Sequence, residues 1–199
     1  MSYEKANKSL KFGKSSVLEE HLLYQGNWTN LVELSYEDEE KKLRKWEGLH
    51  RKNNVEAVII IAKMKPSERY IIIRQFRPPT NSYLLEFPAG LVDFGETRDQ
   101  TAIRELFEET GYVGEVEKIS PRLYSSPGIL SEAVSFVHMH VNENLPGNKR
   151  PKAQNEPGEF ITVFKKSVDE ISAFFSHEIS RGVKLDAKLY SYFLSQELL

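Results

Sequence analysis

The chain has 199 residues, a length that suits one domain or one domain with a small annex. Its residues are 40% hydrophobic and 28% charged, and its net charge of −2 indicates no general affinity for nucleic acid or for a membrane surface. The absence of cysteine excludes disulfides, thiolate metal sites and cysteine nucleophiles. There is no apolar segment typical of a secretory signal or a membrane span, so we expect a cytoplasmic protein and leave a nuclear location open.

The first quarter of the chain is predicted to form a small β-rich annex behind a flexible lead. Residues 1–16 are polar and are expected to be flexible. Alternating apolar and polar residues predict a strand over Asn27–Asp38, and a charged turn then leads to a second strand over Lys42–Lys52. We therefore divide the chain into the lead, an annex over residues 17–53 and a main domain over residues 54–199.

The main domain is predicted to place strands on either side of one central helix. In chain order, strands are predicted at Val55–Met64, Arg69–Pro79, Tyr83–Gly90, Val116–Tyr124, Ala133–Val141 and Glu159–Phe164, and closing helices at Ser167–Ser176 and Asp186–Glu197. The first of these strands is apolar on both faces. Residues 142–158 form a long loop rich in Pro, Gly and Asn, and such loops are usually functional or disordered. This order predicts an α+β fold with a sheet sandwiched between helices.

The central helix is predicted to begin after Thr97 and to end at Gly111. Thr97 with Gln100 forms a capping-box pattern, and a glycine is the expected residue just beyond a helix C-terminus. The helix is expected to be amphipathic, with an apolar side that packs on the sheet. That side comprises Ile103, Leu106, Phe107 and Thr110.

Three carboxylates share a narrow arc on the opposite side of this helix. At 100° per residue, Glu109 lies about 40° and Glu108 about −60° from Glu105. Like charges at this spacing cost a helix about 0.2–0.5 kcal/mol per pair, which Arg104, four residues before Glu108, partly offsets. Helical spacing alone leaves two interpretations open. The arc is either a solvated acidic face or a site for Mg²⁺, which prefers oxygen ligands.

The residues around the helix favour the metal site. From Gly90 the order is glycine, five residues, Glu96, seven residues, and then Arg-Glu-Leu-x-Glu-Glu-x-Gly from Arg104 to Gly111. This order resembles the signature motif of the Nudix hydrolases, and every fixed position is filled. The resemblance implies the Nudix fold, with a mixed β-sheet between α-helices and a loop–helix–loop motif in which Glu96 braces the loop. It also implies hydrolysis of a nucleoside diphosphate linked to a further group.

The resemblance also implies the metal ligands. Glu105 and Glu109 match the main ligands of the family, and Glu108 matches a further ligand or support. Arg104 matches the arginine that orients these glutamates, and the backbone carbonyl of Ala89 can bind metal in this class. The implied ion is Mg²⁺, with Mn²⁺ as an alternative, and two or three ions are expected in each site.

The similarity extends beyond the motif to the ADP-ribose and ADP-sugar pyrophosphatase branch of the family. It covers most of residues 20–199, including the segments RQFRPP, SSPGILSE, PGEF and LDAKLYSYFL. It implies cleavage of ADP-ribose to AMP and ribose 5-phosphate by a homodimer with exchanged N-terminal strands and shared active sites. Two alternatives stay open: a preference for damaged nucleoside diphosphates such as 8-oxo-dGDP or for other nucleoside diphosphate sugars, and a catalytically silent nucleotide-binding module.

The resemblance further implies residues that bind the nucleoside and sugar. Trp28 and Trp46 match tryptophans that stack on the two faces of adenine, one from each subunit, and stacking on a base is worth roughly 1–3 kcal/mol. Without the resemblance, both tryptophans are more simply interpreted as core residues of a hairpin. Glu47 matches a residue that hydrogen-bonds the base. Leu91 is expected to lie near the substrate, and Gly128 near the terminal ribose.

Two arginines and one glutamate complete the predicted site. Arg51 and Arg77 are expected to bind phosphate, because guanidinium groups pair well with phosphate oxygens. The alternatives are solvation at the surface for Arg51 and strand-edge pairing for Arg77. Glu159 matches a loop glutamate that acts as a base or orients water, and Glu156 is its nearby competitor. The alternative for Glu159 is a loop carboxylate in solvent.

Overall fold

The computed structural model describes residues 13–196 and divides them into two compact units. The first comprises residues 13–56 and 123–133, and the second comprises residues 57–122 and 134–196. Most of the predicted flexible lead lies outside the described residues. Among the residues that the structure describes, no helix is long and apolar enough to cross a membrane.

Strands dominate both units. The strands are β1 (Ser16–Gln25), β2 (Thr29–Glu37), β3 (Leu43–Arg51), β4 (Ala57–Lys65), β5 (Tyr70–Arg77), β6 (Ser82–Glu86), β7 (Ala89–Leu91), β8 (Glu115–Ile119), β9 (Leu123–Tyr124), β10 (Ala133–Asn142), β11 (Thr162–Lys166) and β12 (Lys184–Leu185). The helices are α1 (Arg98–Thr110), α2 (Pro146–Lys149), α3 (Val168–Ser180) and α4 (Ala187–Leu194).

The first unit contains an antiparallel sheet in the order β1-β2-β3. Strands β2 and β3 confirm the two strands predicted for this region. Between them, Asp38 closes the charged turn by accepting hydrogen bonds from the backbone N–H groups of Glu40 and Lys42, each at 2.9 Å. Strand β1 was not predicted, because two β-bulges interrupt its pairing with β2 and spoil the alternation of apolar and polar residues.

The second unit contains a mixed sheet in the order β12-β6-β5-β4-β10-β8, with β11 also paired to β5 and β7 to β4. Strand β10 runs parallel to β4, whereas β4, β5 and β6 run antiparallel in succession. The short strand β12 is parallel to β6. This topology confirms the predicted α+β class and the mixed sheet.

The core of the second unit lies on both faces of the sheet. On one face, Ile59 and Ile61 of β4 pack in a cluster with Phe193 of α4 and with residues of α3. On the other face, Ile60 packs in a cluster with Leu106 of α1. Burial of such a side chain is worth about 1.5–3 kcal/mol. The sheet is therefore sandwiched between α1 on one face and α3 and α4 on the other, as predicted.

The main differences from the predicted strands occur at prolines. The strand predicted over Tyr83–Gly90 is two strands, β6 and β7, interrupted at Pro88, whose carbonyl accepts a hydrogen bond from Ile60 N at 2.8 Å. The strand predicted over Val116–Tyr124 is likewise two strands, interrupted at Pro121. Proline has no backbone N–H to contribute to a ladder, which explains both interruptions.

Candidate active site

Helix α1 has the predicted ends. The Thr97 side chain accepts from Gln100 N, and Gln100 Oε1 accepts from Thr97 N at 2.9 Å, which completes the capping box. At the other end Gly111 has a φ of +75° and donates its N–H to Phe107 O at 2.7 Å. These local signals fix the phase of the helix and therefore the positions of its three glutamates.

The predicted division of α1 into an apolar side and an acidic side is wrong in one respect. Ile103, expected on the apolar side, is 41% exposed, whereas Glu109 is only 4% exposed. On a helical projection the buried residues run from Thr101 to Thr110 over an arc centred about 50° from Glu105, close to Glu109. The packed face is thus rotated toward the carboxylates, and one of the three glutamates is buried.

Arg104 contacts the other two glutamates of the arc, which are half-buried. Its Nη1 donates to Glu105 Oε1 and to Glu108 Oε2, each at 2.9 Å. Its Nε and Nη2 donate to the two carboxylate oxygens of Glu96, also at 2.9 Å each. These hydrogen bonds from Arg104 lower the pKa of Glu96 to about 2 and raise the pKa of Arg104 itself. The arginine therefore links the loop before α1 to two of the three glutamates.

Burial disfavours the charged forms of the Glu109 and Glu105 carboxylates. Burial raises the pKa of Glu109 to about 9, and the charges of Glu105 and Glu159 act in the same direction. Ala89 N donates to Glu109 Oε2 at 3.1 Å and opposes this effect in part. Burial also raises the pKa of Glu105 to about 7, against the opposing charge of Arg104. A cation bound between the two carboxylates would offset the cost of their burial.

Gly90 of β7 allows Glu105 to lie against the backbone. A Cβ added to Gly90 would stand 1.9 Å from Glu105 Cδ and 2.0 Å from Glu105 Oε1, far inside contact distance. Any other residue at this position would displace the carboxylate. Glycine is therefore required at the start of the motif, because Glu105, one of the predicted metal ligands, occupies the space that a side chain would need.

The donor set of this region suits a hard divalent cation that shares its coordination with a substrate. Glu105, Glu109 and the backbone of Ala89 supply only oxygen ligands, and Mg²⁺ is usually held by one or two carboxylates together with phosphates and water. Among the described residues, no group of three or more His, Asp or Glu side chains is arranged to hold a metal ion. In this structure the carboxylates of Glu105 and Glu108 accept hydrogen bonds from Arg104.

Arg77 is held by a partner that was missed in the sequence. Its Nε and Nη2 donate to the two carboxylate oxygens of Glu86 at 2.8 and 2.9 Å. Burial disfavours the charged guanidinium, but Glu86, Glu109 and Asp186 together raise the pKa of Arg77. The sequence signal for Glu86 is a single carboxylate between two apolar residues, Leu85 and Phe87, which indicates a buried, paired charge.

The remaining predicted residues of the second unit lie around the same carboxylates. Leu91 is 38% exposed, and its carbonyl accepts from Arg104 Nη2 at 3.2 Å. Glu159 lies in an exposed turn, where its Oε2 accepts from Glu156 N at 3.3 Å. The charge of Glu159 contributes to the raised pKa of both Glu105 and Glu109, so its carboxylate lies within electrostatic range of them.

The two tryptophans lie in the first unit and are not core residues. Trp28 is 81% exposed and Trp46 is 51% exposed, which contradicts the interpretation of both as hairpin core. Trp46 Nε1 donates to Gly128 O at 2.8 Å, so the structure brings these two predicted residues together. Glu47 lies beside Trp46 on β3 and is exposed. Exposed indole rings are free to stack on a planar ligand.

Arg51, also in the first unit, forms an ion pair with Glu132. The side chain of Glu132 is only 10% exposed, and that of Arg51 is 33% exposed. The alternative of a simply solvated Arg51 is therefore wrong. Glu132 is outside the site predicted from the sequence, because nothing local relates it to an arginine about 80 residues earlier in the chain.

Comparison with known proteins identifies the family. The NUDIX domain model matches residues 53–190. The ADP-sugar pyrophosphatase of Mus musculus is 35% identical over 92% of this chain and 88% of the mouse protein. The ADP-ribose pyrophosphatase of Saccharomyces cerevisiae is 33% identical over 81% of this chain and 74% of the yeast protein. The crystal structure of an ADP compounds hydrolase has the same fold, with a TM-score of 0.64 at 22% identity over 83% of this chain and 86% of that chain. The chain therefore belongs to the NUDIX domain family and is a Nudix hydrolase.

Proposed function

We propose that this protein hydrolyses the pyrophosphate of ADP-ribose and related ADP-sugars to AMP and a sugar phosphate, with Mg²⁺ as the cofactor. The observation that carries the proposal is the pair of carboxylates held beside the backbone of β7: Glu109, which is buried and accepts a hydrogen bond from Ala89 N, and Glu105, which lies against Gly90. Relatives that cover most of the chain are named for the hydrolysis of the same substrate class.

In this proposal Glu105 and Glu109 bind Mg²⁺ together with the Ala89 carbonyl, and Glu108 is a further ligand or a support. Mn²⁺ is an alternative ion, and two or three ions are expected in each site. When bound, divalent cations supply charge stabilisation on the phosphate oxygens and a lowered pKa of water. Arg104 keeps the carboxylates of Glu105 and Glu108 in place through hydrogen bonds from a single nitrogen.

The reaction needs a water molecule that attacks one phosphorus as the bridging P–O bond breaks. We assign acceptance of the water proton, or orientation of the water, to Glu159, because its charge acts on both Glu105 and Glu109. Arg77 is assigned to a phosphate oxygen. Its Nε and Nη2 donate to Glu86, which fixes the orientation of the guanidinium group. The remaining N–H donors of Arg77 are assigned to the phosphate.

The nucleoside and sugar are assigned to the other predicted residues. Trp28 and Trp46 are proposed to stack on adenine, and Glu47 to accept a hydrogen bond from it. The exposure of both indole rings supports this assignment. The remaining assignments are phosphate for Arg51, the terminal ribose for Gly128 and substrate contact for Leu91.

We further propose a homodimer in which the N-terminal strands are exchanged and the active sites are shared. Support comes from β1, where Leu18 and Tyr24 are 56% and 68% exposed, since apolar patches of this kind mark interaction surfaces. The division into an annex over residues 17–53 and a catalytic domain over residues 54–199 is part of this proposal. A monomer by light scattering at micromolar concentration would contradict it.

The function is tested by incubation with ADP-ribose and Mg²⁺ and by detection of AMP. We expect turnover that stops on chelation of the metal. Glu109→Gln should lower kcat/KM by at least about 10²-fold, because metal stabilisation of charge is worth several kcal/mol. Glu115→Gln, at an exposed glutamate of β8, is the matched control and should retain full activity. Absence of turnover in the wild type, or full activity of Glu109→Gln, would overturn the proposal.

The choice among substrates is tested with a panel ranked by kcat/KM. The panel contains ADP-ribose, other nucleoside diphosphate sugars and 8-oxo-dGDP, each with Mg²⁺. A reaction in ¹⁸O-labelled water shows which product takes the oxygen and therefore which phosphorus is attacked. We expect ADP-ribose or another ADP-sugar to rank first.

A further inference from the structure

The long loop over residues 142–158 is anchored to the segment that ends α1. Its first anchor is Asn148, which is 5% exposed. Asn148 Oδ1 accepts from Val113 N at 2.8 Å, and its Nδ2 donates to the carbonyls of Val113 and Asn142 at 2.9 Å each. Both donor hydrogens and the carbonyl oxygen of this amide are thus used to hold the first half of the loop.

The second anchor joins the loop directly to the backbone of the catalytic helix. Gln154 N donates to Glu108 O at 2.7 Å. The Gln154 residue is itself exposed, so its backbone N–H would otherwise face water. The accepting carbonyl belongs to the last turn of α1, between the two carboxylates assigned to the metal, and it has no helical partner of its own. The bond therefore ties the loop to the part of the helix that bears the chemistry.

Gly111 provides the space for this second anchor. A Cβ added there would stand 2.3 Å from Lys152 N, 2.5 Å from Lys152 C and 2.8 Å from Ala153 N. All three are backbone atoms, which cannot rotate out of the way as the end of a side chain can. The loop would have to withdraw from α1, and Gln154 would lose its acceptor. The glycine thus has a role beyond its φ of +75°.

The anchored segment leads within five residues to Glu159. Between them the chain makes a tight turn, in which Glu159 N donates to Glu156 O at 3.0 Å and Glu159 Oε2 accepts from Glu156 N at 3.3 Å. The turn is exposed, and three residues after Glu159 the chain enters β11, which is paired to β5. Glu159 therefore lies between two fixed points, the strand that follows it and the anchor at Gln154, and loss of the anchor would leave it held from one side only.

We propose that Gly111 is a positioning residue: the close approach it permits lets Gln154 bond to the end of α1, and this anchor helps to position Glu159 relative to the carboxylates assigned to the metal. The inference rests on the proposed function, since it assigns to Gly111 an effect on the step that Glu159 serves. Glycine is then required at this position of the motif because the loop packs against it, and not only because the helix ends there.

The experiment compares Gly111→Ala with Gly182→Ala. Gly182 also follows a helix, and its φ of +85° is positive, but a Cβ added there meets nothing within 4 Å. The pair therefore separates backbone strain from displacement of the loop. In the wild type and in Gly182→Ala, we expect amide hydrogen exchange to show Gln154 protected and kcat unchanged. In Gly111→Ala, we expect Gln154 to lose protection and kcat to fall at least tenfold, with Mg²⁺ affinity changed less than threefold.

A double mutant tests whether Gly111 acts through Glu159. In the Glu159→Gln background, Gly111→Ala should lower kcat by less than twofold, because the group that it displaces is already gone. A full tenfold further loss in that background would overturn the proposal. So would a Gly111→Ala variant that exposes the Gln154 amide and yet keeps the kcat of the wild type.

The outcomes for the inference and for the proposed function are distinguishable. If the wild type does not hydrolyse ADP-ribose, the proposed function fails, whereas protection of Gln154 still decides whether the anchor exists. If Gly111→Ala does not fold, a Gln154→Pro variant takes its place, because proline lacks the backbone N–H that donates to Glu108 O. Its kcat is then compared with that of the wild type, whose exchange data show whether the anchor forms. Exchange of the wild-type Gln154 amide as fast as in an unstructured peptide would overturn the inference on its own.

Discussion

Substitution of Gly90 by alanine should separate the stability of the fold from the integrity of the metal site. The added Cβ would stand 1.9 Å from Glu105 Cδ, 2.0 Å from its Oε1 and 2.3 Å from its Cγ. Ordinary contacts between such atoms are about 3.5–4.0 Å, so these atoms must move by well over an ångström. The nearest obstacles all belong to one flexible side chain, and the Glu105 carboxylate is expected to rotate away from β7.

The effect on stability should be small. Rotation of Glu105 gives up its hydrogen bond from Arg104 Nη1, a charge-assisted contact worth about 1.5–3 kcal/mol. Burial disfavours the charged form of Glu105 and raises its pKa. Movement of the carboxylate into solvent removes this penalty and offsets part of the lost hydrogen bond. We therefore expect the free energy of unfolding to fall by no more than about 2 kcal/mol.

The effect on activity should be large. Changes around a metal site that only support the ligands cost about 10–100-fold, and Gly90→Ala displaces a proposed ligand itself. We expect kcat/KM for ADP-ribose to fall at least about 10²-fold, equivalent to about 2.7 kcal/mol of transition-state stabilisation. Steady-state kinetics across a Mg²⁺ titration measure this loss, and thermal unfolding measures stability in the same samples.

A double mutant tests whether Gly90→Ala acts through Glu105. In the Gly90→Ala background, Glu105→Ala should cause almost no further loss of activity and should restore stability, because it removes the side chain that collides with the new Cβ. Losses that multiply in the double mutant would show that the two residues act independently. Activity of Gly90→Ala within threefold of the wild type would refute the placement of Glu105 against β7.

Three further outcomes follow from the contacts of the second unit. Saturating Mg²⁺ should raise the unfolding temperature of the wild type by a measurable amount but not that of Glu109→Gln, since a ligand stabilises only a state that binds it. Arg104→Lys should lower kcat/KM and stability together, because an ammonium group cannot reproduce the paired hydrogen bonds to Glu96; unchanged kinetics would contradict this. Glu178→Ala should cost about 3–5 kcal/mol in chemical denaturation, because Glu178 is 2% exposed and its loss leaves Arg74 without the partner it contacts at 2.7 Å.

The sequence was sufficient wherever structure is determined by neighbours along the chain. The capping box at Thr97 and the stop at Gly111 fixed the ends of α1 to the residue, because both signals act within one turn of the helix. The spacing of the motif identified the family, and apolar residues on both faces of β4 identified a central strand. These features predicted the α+β class and the sheet between helices.

The sequence was insufficient where a partner comes from a distant segment. Burial of Glu109 depends on β7, whose Ala89 N–H satisfies the carboxylate, and no periodicity within α1 reveals that contact. The pairing of Arg77 with Glu86 depends on how two neighbouring strands are placed. Strand β1 was missed because its two bulges break the period of two on which strand prediction relies.

The two glycines at the ends of the motif show how a sequence pattern encodes packing. The φ of Gly90 is not positive, so its backbone conformation does not require glycine. Glycine is required there because a Cβ would collide with the Glu105 side chain. Gly111 combines a positive φ with a loop backbone too close for any Cβ. Both therefore leave space that another part of the proposed site occupies: the Glu105 side chain at Gly90, and the backbone of the loop that leads to Glu159 at Gly111. A Cβ at either position would displace a part of the proposed site, so the motif requires a glycine at each end for a packing reason and not only for the shape of the backbone.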